Sequence, residues 1–170
     1  MSDTDAPLVL FDFANPDAVE PWTSIDDRVM GGVSRSRLRH DPAGYAVFEG
    51  RVSLERNGGF ASIRSAPAER GRADAQACLV EPFGDGKRYK LNLLTEDDFD
   101  GPCYQAAFTP DSGRWQTLRI PLASFRPTFR GREVAGARPL NPARIRQVGL
   151  MIAERQAGSF ALAIRRISLA

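Results

Sequence analysis

Hydrophobic and polar residues alternate with period two along most of this chain, and no window sustains the 3.6-residue period of a helix. Tyr89, Leu91 and Leu93 fall on one face while Lys90 and Asn92 take the other. Tyr104, Ala106 and Phe108 alternate with Gln105 and Ala107 in the same way; Val148, Leu150 and Ile152 form a third such face, and Phe160, Leu162 and Ile164 a fourth. Strands with one apolar face belong to antiparallel sheets covered on one side. Turn-forming clusters separate them at short intervals, among them Asn15-Pro16, Asp41-Pro42, Asn57-Gly58-Gly59, Gly84-Asp85-Gly86, Asp100-Gly101-Pro102 and Ala157-Gly158. The pattern predicts about nine to eleven short strands in an all-β antiparallel β-sandwich of jelly-roll type. One helical turn is expected at Asn141 to Ile145, where Asn can cap free amides and Pro142 suits the first helical position. With no linker, low-complexity segment or convincing repeat, residues 1–170 read as one domain with a core over about 8–169.

Two Gly-Gly pairs interrupt the alternation: DDRVMGGVSRS from Asp26 to Ser36, and VSLERNGGFASIR from Val52 to Arg64. Glycine pairs flanked by strand-like sequence predict a bend, a bulge or a close approach of another surface. Met30, directly before the first pair, is an adaptable apolar contact for such an approach. In the second motif Asn57 and Gly58 suit positive φ, Phe60 and Ile63 anchor the following strand, and Arg64 closes it.

Taken with GDGKRYKLNLLTEDDFDGPCYQAAF (Gly84 to Phe108) and WQTLRIPLASFRPTFRGR (Trp115 to Arg132), these motifs resemble the signature of the complex I intermediate-associated protein 30 family. The resemblance covers most of the chain. It implies a galactose-binding-like β-sandwich and no catalytic residues. Because eukaryotic members are assembly factors or chaperones for respiratory complex I, it also implies protein partners, namely subunits of a respiratory NADH dehydrogenase-type membrane complex.

Length and composition narrow the picture. A domain of 170 residues can bury roughly 70% of the surface of its unfolded chain and needs no staples. The two cysteines, Cys78 and Cys103, sit in strand-like runs, where a free thiol acts as a small buried hydrophobe. The start MSDTDAPLVLFDF has neither the basic n-region of a secretory signal nor the arginines of a transit peptide, so a cytoplasmic location is expected. No apolar run approaches the roughly 18 residues that a spanning helix needs, which argues against direct transmembrane insertion. Net charge is +2, and Lys87 and Lys90 are the only lysines among 23 basic residues. Arginine favours planar contacts with carboxylates, phosphates and aromatic faces. Genomic bias toward arginine accounts for the same count.

Candidate chemistry is sparse. His40, the single histidine, lies before a predicted turn and reads as an exposed loop residue rather than a general base. One histidine and two dispersed cysteines supply no zinc set, and no cofactor fingerprint is present. The run Glu96, Asp98, Asp100, Gly101 begins like an EF-hand, but Ala107 stands where the bidentate glutamate belongs; a loop calcium site or a solvated hairpin tip remain. Asp26, Asp27 and Glu55 border the glycine pairs and could flank a sugar; adjacent aspartates point to opposite faces when extended, so turn-forming or ion-paired roles compete.

Binding is the better prospect. Trp22 and Trp115 are candidate sugar platforms, with Tyr45, Tyr89 and Tyr104 behind them; Trp115 shares the more polar face with Thr117 and Arg119. The segment Phe125 to Arg132 reads as a Pro/Gly-bounded loop whose Phe129 and Arg130 suit a protein interface. Low net charge and the lack of an RNA-binding motif argue against nucleic acid. The expectation is therefore a non-catalytic binding protein without cofactor or metal, with Asp27, Met30, Asn57, Arg64, Trp115, Arg119, Phe129 and Arg130 as candidate surface residues. A carbohydrate or small-ligand module is the alternative.

Overall fold

The computed structural model describes residues 6–27, 31–95, 103–129 and 131–170, with the side chain of Asn57 left aside. Met30, Arg130 and the acidic run from Glu96 to Asp100 lie outside the described residues.

Among the described residues thirteen strands form two sheets: β1 (Leu8–Asp12), β2 (Trp22–Ser24), β3 (Arg35–Asp41), β4 (Tyr45–Val52), β5 (Ala61–Ser65), β6 (Ala77–Phe83), β7 (Tyr89–Leu94), β8 (Cys103–Phe108), β9 (Leu118–Pro121), β10 (Arg126–Phe129), β11 (Arg132–Glu133), β12 (Gln147–Ile152) and β13 (Gly158–Leu169). The six-stranded sheet runs β3-β4-β13-β6-β9 with β1 paired to β13, and the seven-stranded sheet runs β11-β10-β8-β7-β12-β5-β2. All these pairings are antiparallel. The count exceeds the expected nine to eleven because β2, β10 and β11 are very short. Jelly-roll order emerges because sequence neighbours so often sit in different sheets.

The four apolar faces read from alternation point into the sandwich. Tyr89, Leu91, Leu93, Tyr104, Ala106, Phe108, Val148, Leu150, Ile152, Phe160, Leu162 and Ile164 are all buried in one cluster. Its centre is aromatic: Phe48 and Phe160 of the six-stranded sheet lie 4.9 Å apart by centroid, and Tyr89 of the facing sheet stands 6.2 Å from Phe48 and 6.3 Å from Phe160. Each such pair adds about 0.5–1.5 kcal/mol beyond its buried area. The Tyr89 hydroxyl reaches the edge of the core and donates to Asp85 Oδ2 at 2.9 Å. Asp85 Oδ2 also accepts the Ala161 amide, fixing the β6–β7 turn against β13.

The expected helical turn is present as a 3-10 turn at Pro142–Arg144, with the Asn141 side chain accepting from the Ala143 amide at 3.1 Å. Four expectations fail. Neither glycine pair lies in a strand: Gly31-Gly32 sits in the β2–β3 connection, and Gly58-Gly59 follows a 3-10 turn at Glu55–Asn57. Positive φ falls on Arg56 and Gly59, whereas Gly58, expected to take it, has a φ of -66°. The segment from Phe125 to Arg132 is largely β10 and β11 instead of a loop, because Arg126, Pro127 and Thr128 pair with β8. His40, expected in an exposed loop, lies within β3 one residue before its end, half-buried with Nε2 3.1 Å from the Phe13 carbonyl.

Candidate functional site

The two glycine motifs meet at one side chain, Asp27. Its Oδ1 accepts the Ser34 amide at 2.8 Å, and its Oδ2 accepts the Ser34 hydroxyl at 2.5 Å and the Gly59 amide at 2.8 Å. A Cβ built on Gly32 would stand 2.4 Å from Asp27 Cγ, and one on Gly58 would stand 2.4 Å from Asp27 Oδ2. The glycines are therefore the space in which a buried carboxylate sits, and that explains why each motif needs a residue without a side chain.

Asp26 makes a parallel set. Its Oδ1 accepts the Ser36 hydroxyl at 2.5 Å and the Ser62 amide at 3.0 Å, while Oδ2 accepts the Ser36 amide. Ser36 belongs to β3 of one sheet and Ser62 to β5 of the other, so the carboxylate joins the two layers at their margin. Neither aspartate has an ion pair among the described residues, and the Asp27 carbonyl accepts the Gly32 amide at 2.8 Å. Burial pushes the Asp26 carboxyl up against its Ser36 and Ser62 hydrogen bonds, and the Asp27 charge adds to the rise. Burial opposes ionisation of Asp27 as well, but donors from Ser34, Gly59 and Phe60 outweigh it and hold that carboxyl below its ordinary value. The pair engages separate partners and forms no acid–base dyad.

Beyond this clamp, a polar row crosses the outer face of the seven-stranded sheet. The strand registers place Thr23 opposite Arg64, Arg64 opposite Gly149, Gly149 opposite Asn92, Asn92 opposite Gln105 and Gln105 opposite Arg126. Asn92, Gln147 and Thr128 face away from the core yet are more than nine-tenths buried, so this side of the sheet is recessed. Gln105 Nε2 donates to Asn92 Oδ1 at 2.9 Å and lies 3.7 Å from Met151 Sδ. Burial lowers the Arg64 pKa, and the nearby Cys103 opposes that shift. Arg64, Asn92, Gln105 and Arg126 come from the separated segments quoted above, NGGFASIR, YKLNLL, YQAAF and RPTFRGR. Only the strand order brings them into line.

The remaining candidates do not converge with this row. Trp115 lies on the six-stranded sheet, bridged to Phe83 just before β9, and is half-buried rather than an open platform. Tyr45 and Phe83 pack against it at 5.2 and 5.4 Å, and the Arg165 guanidinium covers its ring at 4.0 Å. Arg119 is exposed on the same sheet, opposite Leu79. Phe129 is exposed at the end of β10 in the other sheet, so Trp115 and Phe129 do not share a groove. Trp22 is buried against Phe11 at 4.9 Å, and Tyr89 and Tyr104 are core residues, which leaves none of them as a sugar platform. Glu55 caps nothing by side chain and holds the Gly58 amide through its carbonyl. Among the described residues no three His, Cys, Asp or Glu side chains gather as metal ligands. No helix among them is long and apolar enough to cross a membrane.

Comparison with known proteins agrees with this geometry. The chain is 29% identical over 185 residues to the mitochondrial complex I intermediate-associated protein 30 of Drosophila melanogaster, covering 95% of this chain and 62% of that protein. An uncharacterized Schizosaccharomyces pombe protein is 28% identical over 181 residues, covering 94% of this chain and 82% of its own. Among solved structures, the family 11 carbohydrate-binding module of a Clostridium thermocellum cellulase superposes with a TM-score of 0.72 at 18% identity, covering 96% of this chain and 94% of the module. A family 29 carbohydrate-binding module superposes with a TM-score of 0.55 at 9% identity, covering 96% of this chain and 85% of that one. These likenesses carry the jelly-roll, galactose-binding-like fold. The family model for complex I intermediate-associated protein 30 matches residues 11–164, and the chain belongs to that family.

Proposed function

We propose that this protein is a non-catalytic assembly factor or chaperone that binds subunits of a respiratory NADH dehydrogenase-type membrane complex. Family membership supports a role in complex I assembly, and the Drosophila relative, of whose length the chain spans 62%, is named for association with complex I. The observation that carries the reading is the convergence of four signature segments on one recessed polar row. Arg64, Asn92, Gln105 and Arg126 can hold and orient a partner, and the row offers no nucleophile–base pair or metal set among the described residues. Phe129, exposed at the end of β10, and Arg130 beside it in sequence extend the interface as anchors of the kind enriched at hot spots. A cytoplasmic site of action, at the membrane face of the complex, accords with this role.

The alternative is a carbohydrate module, since a family 11 module has been solved with a mixed-linked tetrasaccharide. The covered ring of Trp115 and the burial of Trp22 weigh against a stacked sugar on either tryptophan. Affinity purification of the tagged protein from its native host, together with native gels of a deletion strain, tests the assembly reading. Recovered NADH dehydrogenase subunits and accumulated subcomplexes are expected. A normal complex in the deletion strain with no subunit recovered would sink it.

A further inference from the structure

We infer that the outer face of the six-stranded sheet carries a site for a small phosphate monoester, its phosphate held by Arg35 and Arg51 and its organic part in the hollow beside them. The inference is independent of the protein-binding reading above and concerns the opposite sheet.

Register builds the site. Arg35 of β3 stands opposite Arg51 of β4, and Arg51 stands opposite Ser159 of β13, so the three side chains form one row across the strands. Their chain neighbours Val52 and Phe160 are buried in the core, which turns the row outward. Facing residues have Cβ atoms about 5 Å apart, and that puts two guanidinium groups within reach of one anion. Both arginines are exposed, and neither has an ion pair or a side-chain hydrogen bond among the described residues. Like charges directly opposite each other destabilise a sheet, so this pair carries a cost that a bridging anion relieves. The far side of the row is cationic too, because Lys87 Nζ donates to the Ser159 carbonyl. Nearby carboxylates are already engaged. Glu49 accepts from Arg37 and Arg39, and Asp85 accepts from the Tyr89 hydroxyl and the Ala161 amide.

The occupant follows from the donors and the space. A hollow of about 370 Å³ opens beside the row, lined by Arg35, Arg37, Glu49, Gly50, Phe160 and Ala161. Ligand pockets run from about 300 to 1,000 Å³, so this one suits a small molecule. Ala161 is exposed on β13 and leaves the hollow open with only a methyl. Guanidinium groups bind phosphate bidentately, and a phosphate monoester offers three terminal oxygens to the two arginines and the exposed Ser159 hydroxyl. Its charge of about −1.5 to −2 at pH 7 matches two cations that have no counter-ion in the fold. A carboxylate answers only one of them.

The test is isothermal titration calorimetry of the full chain at low salt with phenyl phosphate, inorganic phosphate and benzoate. Phenyl phosphate should bind more tightly than benzoate, and its affinity should fall about tenfold or more in Arg35→Ala and in Arg51→Ala. Ala161→Leu should weaken phenyl phosphate and leave inorganic phosphate unchanged, because it fills the hollow without altering the arginines. All three positions are exposed, so the core is untouched. Arg119→Ala, an exposed position on the same sheet opposite Leu79, should bind as wild type does. Melting curves give a second readout: phenyl phosphate should raise the transition of wild type and not that of Arg51→Ala. Without ligand, Arg51→Ala should melt no lower than wild type, since it removes a repulsion. No saturable binding of phenyl phosphate, benzoate bound as tightly, unaltered affinity in both arginine variants, or an equal loss in Arg119→Ala would each overturn the site. Unweakened phenyl phosphate binding by Ala161→Leu would overturn the hollow as the seat of the organic part. Each of these results leaves the assembly role standing, because that role is decided by the subunits recovered from the native host.

Discussion

The Asp27 carboxylate and the Gly59 amide, 32 positions apart in sequence, are 2.8 Å apart in the structure. This bond joins the β2–β3 connection to the start of β5 and makes the two glycine motifs one structural unit. It also sets what a side chain in either motif must cost. Gly32→Ala and Gly58→Ala would each drive a methyl into the Asp27 carboxylate, at 2.4 Å in both cases. Gly58 is further hemmed by the Ser53 carbonyl at 2.8 Å, which cannot swing aside. Overpacking of this kind costs about 1–3 kcal/mol, and urea midpoints should fall accordingly for both variants. Midpoints equal to wild type would mean that Asp27 leaves its donors at no cost.

The two aspartates should respond to pH in opposite senses. Asp27 has a lowered pKa in the folded state, so its ionised form adds stability above the unfolded value near 3.8, and that stability is lost as pH falls through the folded value. Asp26 has a raised pKa, so its contribution is present below 3.8 and is lost as pH rises through the folded value. Asp27→Asn should therefore be strongly destabilised at pH 7, by about 1–3 kcal/mol as an amide N–H is turned toward donors, with the gap to wild type closing in acid. Asp26→Asn should cost less, and its gap to wild type should narrow as pH rises from about 4 to 7. Urea melts of the three proteins across that range measure both trends. Parallel pH profiles for the two variants would contradict the assignment.

Much of the fold was legible because period-two alternation is backbone geometry: Tyr89 to Leu93 and Tyr104 to Phe108 point as their spacing says. The turn at Asn141 was legible for a local reason, since cap and proline are neighbours. The role of Asp27 was not, because its donors sit in another loop and glycine alone does not say which side chain needs the room. The row from Arg64 to Arg126 was hidden for a topological reason. Each residue is unremarkable within its own strand, and only the order β5-β12-β7-β8-β10 aligns them. Trp115 was placed on the polar side with Arg119, as its register confirms, yet Arg165 from β13 covers the ring.

The thiols should differ sharply. Burial pushes Cys78 up to about 12 and leaves it without solvent access, whereas Cys103 is half-buried beside Thr128 at 3.1 Å. A thiolate is the reactive species, so a thiol reagent at pH 8 should titrate one cysteine in the native protein and two in urea. Two rapid equivalents in the native state would place Cys78 outside the core.

Arg165 and Trp115 offer the last check, because the same contact decides whether the tryptophan can serve a sugar. The guanidinium lies 4.0 Å from the ring centroid, with Tyr45 and Phe83 closing two further sides. A cation over an exposed-site ring is worth about 0.5–1 kcal/mol, so Arg165→Ala should lower stability by no more than that. It should also open the ring to water. Acrylamide quenching of tryptophan fluorescence should rise in the variant, with Trp22, which is 8% exposed, supplying a protected background. If wild-type Trp115 were already an open platform, quenching would be high before the substitution and unchanged after it. That result, joined to glycan binding that Trp115→Ala abolishes, would favour the carbohydrate reading over the assembly role.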